Sequence, residues 1–157
     1  MKKVLICAAM AVAAISLRAG TEGYFMLSVF SPGELPAPTS SIYGGRVSVL
    51  YGECHELYGI DLGVSGYVRE RMAGAQFDLL WNGIGTDASG LQVGLVNTVE
   101  GDFSGLQLGL VGVAGQINGC QIGLVNVAAG LNGCQIGLLN FTTSRDWSFW
   151  PFINIGW

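Results

Sequence analysis

The chain has 157 residues, of which 50% are hydrophobic and 11% charged, and it contains 25 glycines. This composition excludes intrinsic disorder, because disordered chains combine low hydrophobicity with many charges. The length indicates one small domain. Three of the seven cations lie in the first 18 residues, so the remainder carries four cations against eleven anions. Because such a balance repels phosphate, we predict no nucleic-acid partner.

The N-terminus has the organisation of a secretory signal peptide. Lys2 and Lys3 precede an apolar run over residues 4–17, and Arg18-Ala19-Gly20 follows as a small-residue cleavage zone. The apolar run is short for a transmembrane helix. Cys7 lies inside the run and not at a cleavage point, which argues against lipid attachment. We therefore predict export.

A short sequence repeat dominates the rest of the chain. The segment Gly90-Leu91-Gln92-Val93-Gly94-Leu95-Val96-Asn97 recurs from Gly105, from Gly119 and from Gly133, with glutamine spacings of 15, 14 and 14 residues. Weaker copies begin at Gly45, Gly59 and Gly74, so seven copies fill residues 44–141. Side chains alternate with a period of two, which predicts strands, and the glycines exclude helix.

The prediction thus divides the chain into three segments. Residues 1–20 are the signal peptide, and residues 21–41 are an N-terminal segment with a strand near 24–30 and a Pro-rich loop. Residues 42–157 are a repeat β-domain that ends in a closing strand.

The first architecture that fits the repeats is a small transmembrane β-barrel. Seven copies and the closing segment give about eight antiparallel strands built from 14–16-residue repeats. Aromatic residues at strand ends, such as Tyr43, Trp81 and Trp157, match the rings found at membrane interfaces. One face would then place a polar row in a narrow lumen, with Arg46 and Asp61 able to pair. The polar row consists of Arg46, Asp61, Gln76, Gln92, Gln107, Gln121 and Gln135.

The alternative architecture is a parallel β-solenoid with one repeat per coil. Leu91, Val93 and Leu95 would face inward, Val99 would lie on the return stroke, and the repeat asparagine would lie at a corner. The likeness of successive copies favours this arrangement, because solenoid coils occupy equivalent environments whereas antiparallel strands do not. Both all-β architectures stay open, with the barrel as the first expectation.

The repeats, the segment Ile42-Tyr43-Gly44-Gly45-Arg46 and the ending Pro151-Phe152-Ile153-Asn154-Ile155-Gly156-Trp157 carry a resemblance. They resemble a bacterial family of surface repeat proteins. The resemblance implies a repeat protein of the outer membrane or cell surface in a two-membrane bacterium, and it supplies no activity or catalytic residue. The chain departs from the pattern with Gly112 in place of asparagine and with Cys120 and Cys134 in place of leucine.

The C-terminal residues carry a second, separate resemblance. Ile153, Ile155 and the terminal Trp157 are similar to the signal by which outer-membrane barrels are recognised for assembly. If the chain is a barrel, this implies outer-membrane lipid and the barrel-assembly machinery as partners, and the surface ligand stays open.

Few residues suggest chemistry. Glu53-Cys54-His55-Glu56 contains metal-ligand and nucleophile types, but adjacent side chains on an extended segment point to opposite faces, so we interpret it as a polar turn. Cys120 and Cys134 are either a redox pair or, as we expect, buried free cysteines that replace leucine. We predict no catalytic, cofactor or metal site. The expected function is a non-enzymatic envelope protein with a structural role, or alternatively a secreted solenoid adhesin or interaction module.

Overall fold

The computed structural model describes residues 22–31, 33–143 and 148–157, so the predicted signal peptide lies outside the described residues. Within these ranges the chain is all-β, and no helix there has the length and hydropathy of a membrane span. The strands are β1 (Glu22–Phe30), β2 (Gly33–Leu35), β3 (Ser41–Ser48), β4 (Gly52–Cys54), β5 (Leu57–Val68), β6 (Met72–Ile84), β7 (Ala88–Val93), β8 (Val96–Leu108), β9 (Val111–Ile122), β10 (Val125–Thr142) and β11 (Ser148–Gly156).

The repeats stack as parallel coils of a β-solenoid with about eight turns. Each residue lies opposite its equivalent in the next copy, so that Gln92 pairs with Gln107 and Gln107 with Gln121. The expected antiparallel barrel is therefore wrong, and the solenoid alternative is the observed fold. The physical reason is that parallel, in-register stacking places identical side chains opposite each other, which lets them form continuous ladders.

Antiparallel strands occur only at the two ends of the described stack. β2 pairs with β1 at the N-terminal end, and β11 pairs with β10 at the C-terminal end. Here Asn154 of β11 lies opposite Gln135 of β10, which continues the register of the polar row. The closing strand thus covers the last coil by reversing direction.

A column of glycines sets how closely the coils approach. Gly105 and Gly119 lie opposite each other with φ angles of +142° and +143°, a region that L-residues with side chains rarely adopt. A Cβ added to Gly119 would lie only 2.1 Å from the carbonyl oxygen of Gly105. The glycine that opens each repeat is therefore required by backbone contact as well as by conformation. The column is Gly44, Gly59, Gly74, Gly90, Gly105, Gly119 and Gly133.

The interior of the solenoid is half apolar and half polar. Two apolar columns fill one half; the first is Ile42, Leu57, Met72, Ala88, Phe103 and Ile117, and the second is Cys54, Val68, Ile84, Val99, Ala114 and Ala128. The polar row and a row of asparagines fill the other half, and these side chains are equally buried.

The polar half is inverted relative to an ordinary protein, with amides inside and apolar side chains outside. Gln92 is fully buried whereas Leu95 is 42% exposed, and Leu91 and Val93 lie on the outer surface beside Gln92. The expectation that Leu91, Val93 and Leu95 face inward is therefore wrong. Burial of the amides is possible because stacked coils let each amide hydrogen-bond to the next, which removes the cost of burying an unpaired polar group.

Candidate functional site

The polar row forms one continuous chain of hydrogen bonds through the interior. The side-chain Nε2 of Gln92 donates to Oε1 of Gln76 at 3.0 Å, and Gln107 donates to Gln92 at 2.8 Å. Gln121, Gln135 and Asn154 continue the chain with bonds of 2.7, 2.8 and 2.8 Å. Every amide donates toward the N-terminal end. The chain therefore needs a hydrogen-bond acceptor at its N-terminal end.

Asp61 supplies that acceptor and is held by Arg46. Gln76 Nε2 donates to Asp61 Oδ2 at 3.1 Å, and Arg46 donates to both carboxylate oxygens, through Nε at 2.8 Å and through Nη2. Arg46 also donates to the backbone oxygen of Tyr67 at 3.0 Å. Burial alone would lower the pKa of Arg46, but the surrounding acidic groups, led by Asp61, together outweigh burial and the pKa is raised. The sequence predicts that Arg46 and Asp61 are able to pair, and they form an ion pair inside the coil. This pair closes one end of the chain of amides.

Asp78 is a second buried carboxylate in this region, and the sequence reasoning did not single it out. It stands at the position that Gly94 occupies in the later copies, and neither of its oxygens has a hydrogen-bond partner. An added Cβ at Gly66 would collide with Asp78, Arg46 and Asp61, so these three side chains share the space which that glycine leaves. Burial, and then Asp61, raise the pKa of Asp78 to about 8. Asp78 is therefore mostly protonated at neutral pH.

The asparagine row is interrupted at one coil. Asn82 Nδ2 donates to Asn97 Oδ1 at 2.7 Å, and Asn126 Nδ2 donates to Asn140 Oδ1 at 2.8 Å. Gly112 lies between Asn97 and Asn126, and the Oδ1 atom of Asn126 is buried without a partner. The sequence departure at Gly112 is thus a gap in an otherwise stacked amide row.

The side chains of Glu53, Cys54, His55 and Glu56 do not converge. Glu53 pairs with Arg69 at 2.6 Å, His55 lies 3.6 Å from Glu70, and Cys54 is buried beside Arg46. Burial raises the pKa of the Cys54 thiol to about 11, so the thiol is protonated at neutral pH. Within the described ranges no group of three or more potential ligands could hold a metal ion.

Cys120 and Cys134 form a disulfide between neighbouring coils. They are register partners in β9 and β10, with Cα atoms 4.7 Å apart. The expectation of buried free cysteines is therefore wrong for this pair, since both lie half-buried on the outer surface. In-register stacking places equivalent residues at a separation that a disulfide spans.

The outer surface beside the polar row is a continuous apolar face, which we call the outer wall. It consists of two ladders that flank the polar row and a third ladder of corner leucines. The members are Ile60, Ala75, Leu91, Leu106, Cys120 and Cys134; Val47, Leu62, Phe77, Val93, Leu108, Ile122 and Ile136; and Leu79, Leu95, Leu110, Leu124 and Leu138. None of these positions carries a charge or a hydroxyl, and Ile122 and Ile136 are each about 40% exposed.

The end strands extend this face. Leu27 of β1 lies opposite Val47, and Ile153 and Ile155 of β11 lie opposite Ile136 and Cys134. Nine strands at about 4.8 Å spacing give the outer wall a length of roughly 38 Å, and five residues give it a width of roughly 13 Å. Its planar area is therefore roughly 500 Å², at the upper range of what soluble monomers expose.

Charged side chains collect on a different edge of the coil. The exposed groups Glu70, Arg71, Asp87, Glu100 and Asp102 lie in the turns between the two apolar interior columns. The exterior beside the first apolar column is thus polar, with exposed serines at positions 89 and 104, whereas half-buried valines at positions 111, 113, 125 and 127 lie outside the second column.

The residues of the proposed assembly signal lie at the C-terminal end. Ile153 and Ile155 are exposed on β11, and Trp157 is 94% exposed. The expectation of barrel-assembly machinery as a partner was conditional on a barrel, and the solenoid does not meet that condition.

Comparisons of the chain with protein-family models, with curated proteins and with solved structures give no significant match.

Proposed function

We propose that the chain is an exported, non-enzymatic β-solenoid of the bacterial cell surface, with a structural or interaction role exercised through its outer wall. The single observation that carries the proposal is the inverted flank, in which amides fill the interior and leucines, isoleucines and valines face outward. Large uncharged surfaces of this kind mark sites of interaction in soluble proteins.

The positions of the charged and amide side chains support the non-enzymatic part of the proposal. Arg46, Asp61 and Asp78 are buried and packed against one another, and the polar row is made of amides, which do not titrate. These groups close the interior of the coil and do not converge on an open cleft.

The disulfide supports export. Disulfides persist in oxidising compartments and are rare in the cytosol, and Cys120–Cys134 joins the last two parallel coils of the repeat domain. This agrees with the signal-peptide prediction for residues 1–20 and with the resemblance to surface repeat proteins.

Surface display of a tagged chain tests the proposal. A short epitope placed between Glu100 and Gly101 enters a turn where the strand register is interrupted, so it leaves the ladders intact. Antibody should stain intact cells of a two-membrane host, and deletion of residues 2–18 should abolish staining. Recovery of the full-length tagged chain only from the cytosol would contradict the proposal.

A further inference from the structure

We infer that the outer wall is covered by the outer wall of a second copy of this chain, which gives a face-to-face dimer with two-fold symmetry. The inference rests on the proposed function only in taking the outer wall as the working surface. The area, the composition and the charge distribution of that face favour a second copy as the occupant.

The area fits a pair of copies. Roughly 500 Å² on each copy gives about 1,000 Å² for the pair, which reaches the minimum area of a biological interface and lies at the small end of the range. Both walls have the same length and the same ladder spacing, so a two-fold arrangement covers each wall completely. A closed dimer of this kind buries both outer walls and does not propagate into a filament.

The composition is that of a homodimer contact. The central coils present Leu91, Leu106, Leu108 and Ile122 with no polar side chain between them. Homodimer interfaces are more apolar than transient ones and are depleted of charge at their centre. Sheet faces with regular aliphatic ladders pack about 10 Å apart, as in β-sandwiches.

Glycines add a groove that a second ladder can enter. Gly94 and Gly109 floor a shallow apolar groove between Val93 and Leu108 on one side and Leu95 on the other. Aliphatic side chains projecting from a facing wall fit such a groove, since the glycines offer no side chain to oppose them.

The charge distribution disfavours a lipid surface as the occupant. Of the cations in the described part of the chain, Arg46 is buried, and Arg69 and Arg71 lie on the charged edge away from the outer wall. Surface-bound proteins usually place lysine or arginine beside their apolar face, where these side chains attract lipid phosphate. In a dimer, by contrast, the two negatively charged edges point away from each other.

The test compares two matched double variants of the full chain, exported and purified without detergent. The wall variant is Leu108→Lys with Ile122→Lys, two register partners on the outer wall, and the control is Ser89→Lys with Ser104→Lys, two register partners on the polar flank. Light scattering with size exclusion should give twice the monomer mass for the wild type and the control. The wall variant should be monomeric, with its dissociation constant raised at least ~10-fold, and should keep the β-sheet circular dichroism of the control.

Three results would overturn the inference. The first is a wild type that is monomeric at every concentration, and the second is a wall variant that still dimerises. The third is a wild type that is monomeric in detergent and floats with phosphatidylcholine vesicles, when the wall variant does not float. If the wall variant fails to fold, the single variant Leu110→Lys at the more exposed corner replaces it under the same criteria. A monomer that is still displayed on intact cells would remove the dimer and leave the proposed function standing.

Discussion

Arg46 and Asp61 form an ion pair whose two side chains are fully buried inside the coil. The pair gives the chain of amides its end, because Asp61 accepts from Gln76 while Arg46 compensates the charge. The parallel register places the two residues directly opposite each other in β3 and β5.

Removal of Arg46 should strongly destabilise the protein. Arg46→Met leaves Asp61 buried without its cation, and breaking one member of a buried pair costs about 3–5 kcal/mol in the free energy of unfolding. Urea titration measures this change. Arg69→Met is the matched control, because Arg69 pairs with Glu53 at the surface, where such pairs contribute about 1 kcal/mol or less. Equal losses in the two variants would contradict the structure.

Asp78 should make stability depend on pH. The folded pKa of about 8 lies above the unfolded value of about 3.9, so the folded state holds the proton more tightly. The resulting stabilisation is complete below about pH 4 and is lost as the pH rises through 8. Asp78→Asn should remove this loss and be more stable than the wild type at pH 9 by about 5 kcal/mol, since the two pKa values differ by about 4. Calorimetry from pH 4 to pH 9 measures it.

Glu100→Gln, which changes an exposed carboxylate, is the control for that series and should follow the wild-type profile. An Asp78→Asn profile that also follows the wild type would show that Asp78 does not carry the pH dependence.

The glycine column should tolerate no side chain. In Gly119→Ala the new Cβ meets the carbonyl oxygen of Gly105 and the backbone is held at φ +143°, so we expect a loss of about 3 kcal/mol or more in the free energy of unfolding. Gly112→Ala should change stability by less than about 1 kcal/mol, because its nearest neighbours lie 3.3 Å away and its φ is ordinary. The prediction fails if both variants unfold at the same urea concentration.

Completion of the asparagine row should stabilise the fold. In Gly112→Asn the new amide can donate to the unpaired Oδ1 of Asn126 and replaces a flexible glycine, so we expect a gain of about 1 kcal/mol. Gly112→Asp has nearly the same shape but no donor and buries a charge, so it should be destabilising. Thermal unfolding of both variants at pH 7 distinguishes them, and a stabilising aspartate would refute the explanation.

The strands were predictable from the sequence because the alternation of Leu91, Gln92 and Val93 has the same period in every β architecture. The direction of the strands was not, since a period of two is shared by antiparallel barrels and parallel coils. The deciding signal was the recurrence of the same amide, Gln107 and Gln121, at nearly constant spacing. Identical amides gain from in-register stacking, and an antiparallel sheet offers them no such ladder.

The prediction of which side chains point into the coil was wrong for a physical reason. Hydrophobicity alone places Leu95 inside a soluble coil, and only the mutual hydrogen bonding of Gln76, Gln92 and Gln107 makes the reverse arrangement stable. The burial of Asp78 was not predictable from the sequence, because it depends on space left by Gly63 and Gly66 in the preceding coil. Such contacts lie between copies and are not visible within one repeat.

Disulfide mapping of the folded, oxidised protein tests the parallel register most directly. Leu124 and Leu131 lie between the two cysteines. Cleavage after these leucines leaves two peptides that only the disulfide holds together. We predict that the uncleaved protein migrates as a monomer on a non-reducing gel and that its digest contains the Cys120–Cys134 linked peptide pair. Cys54 should be alkylated only after denaturation. Folded protein in which Cys120 and Cys134 are unlinked, or in which either is joined to Cys54, would contradict the solenoid.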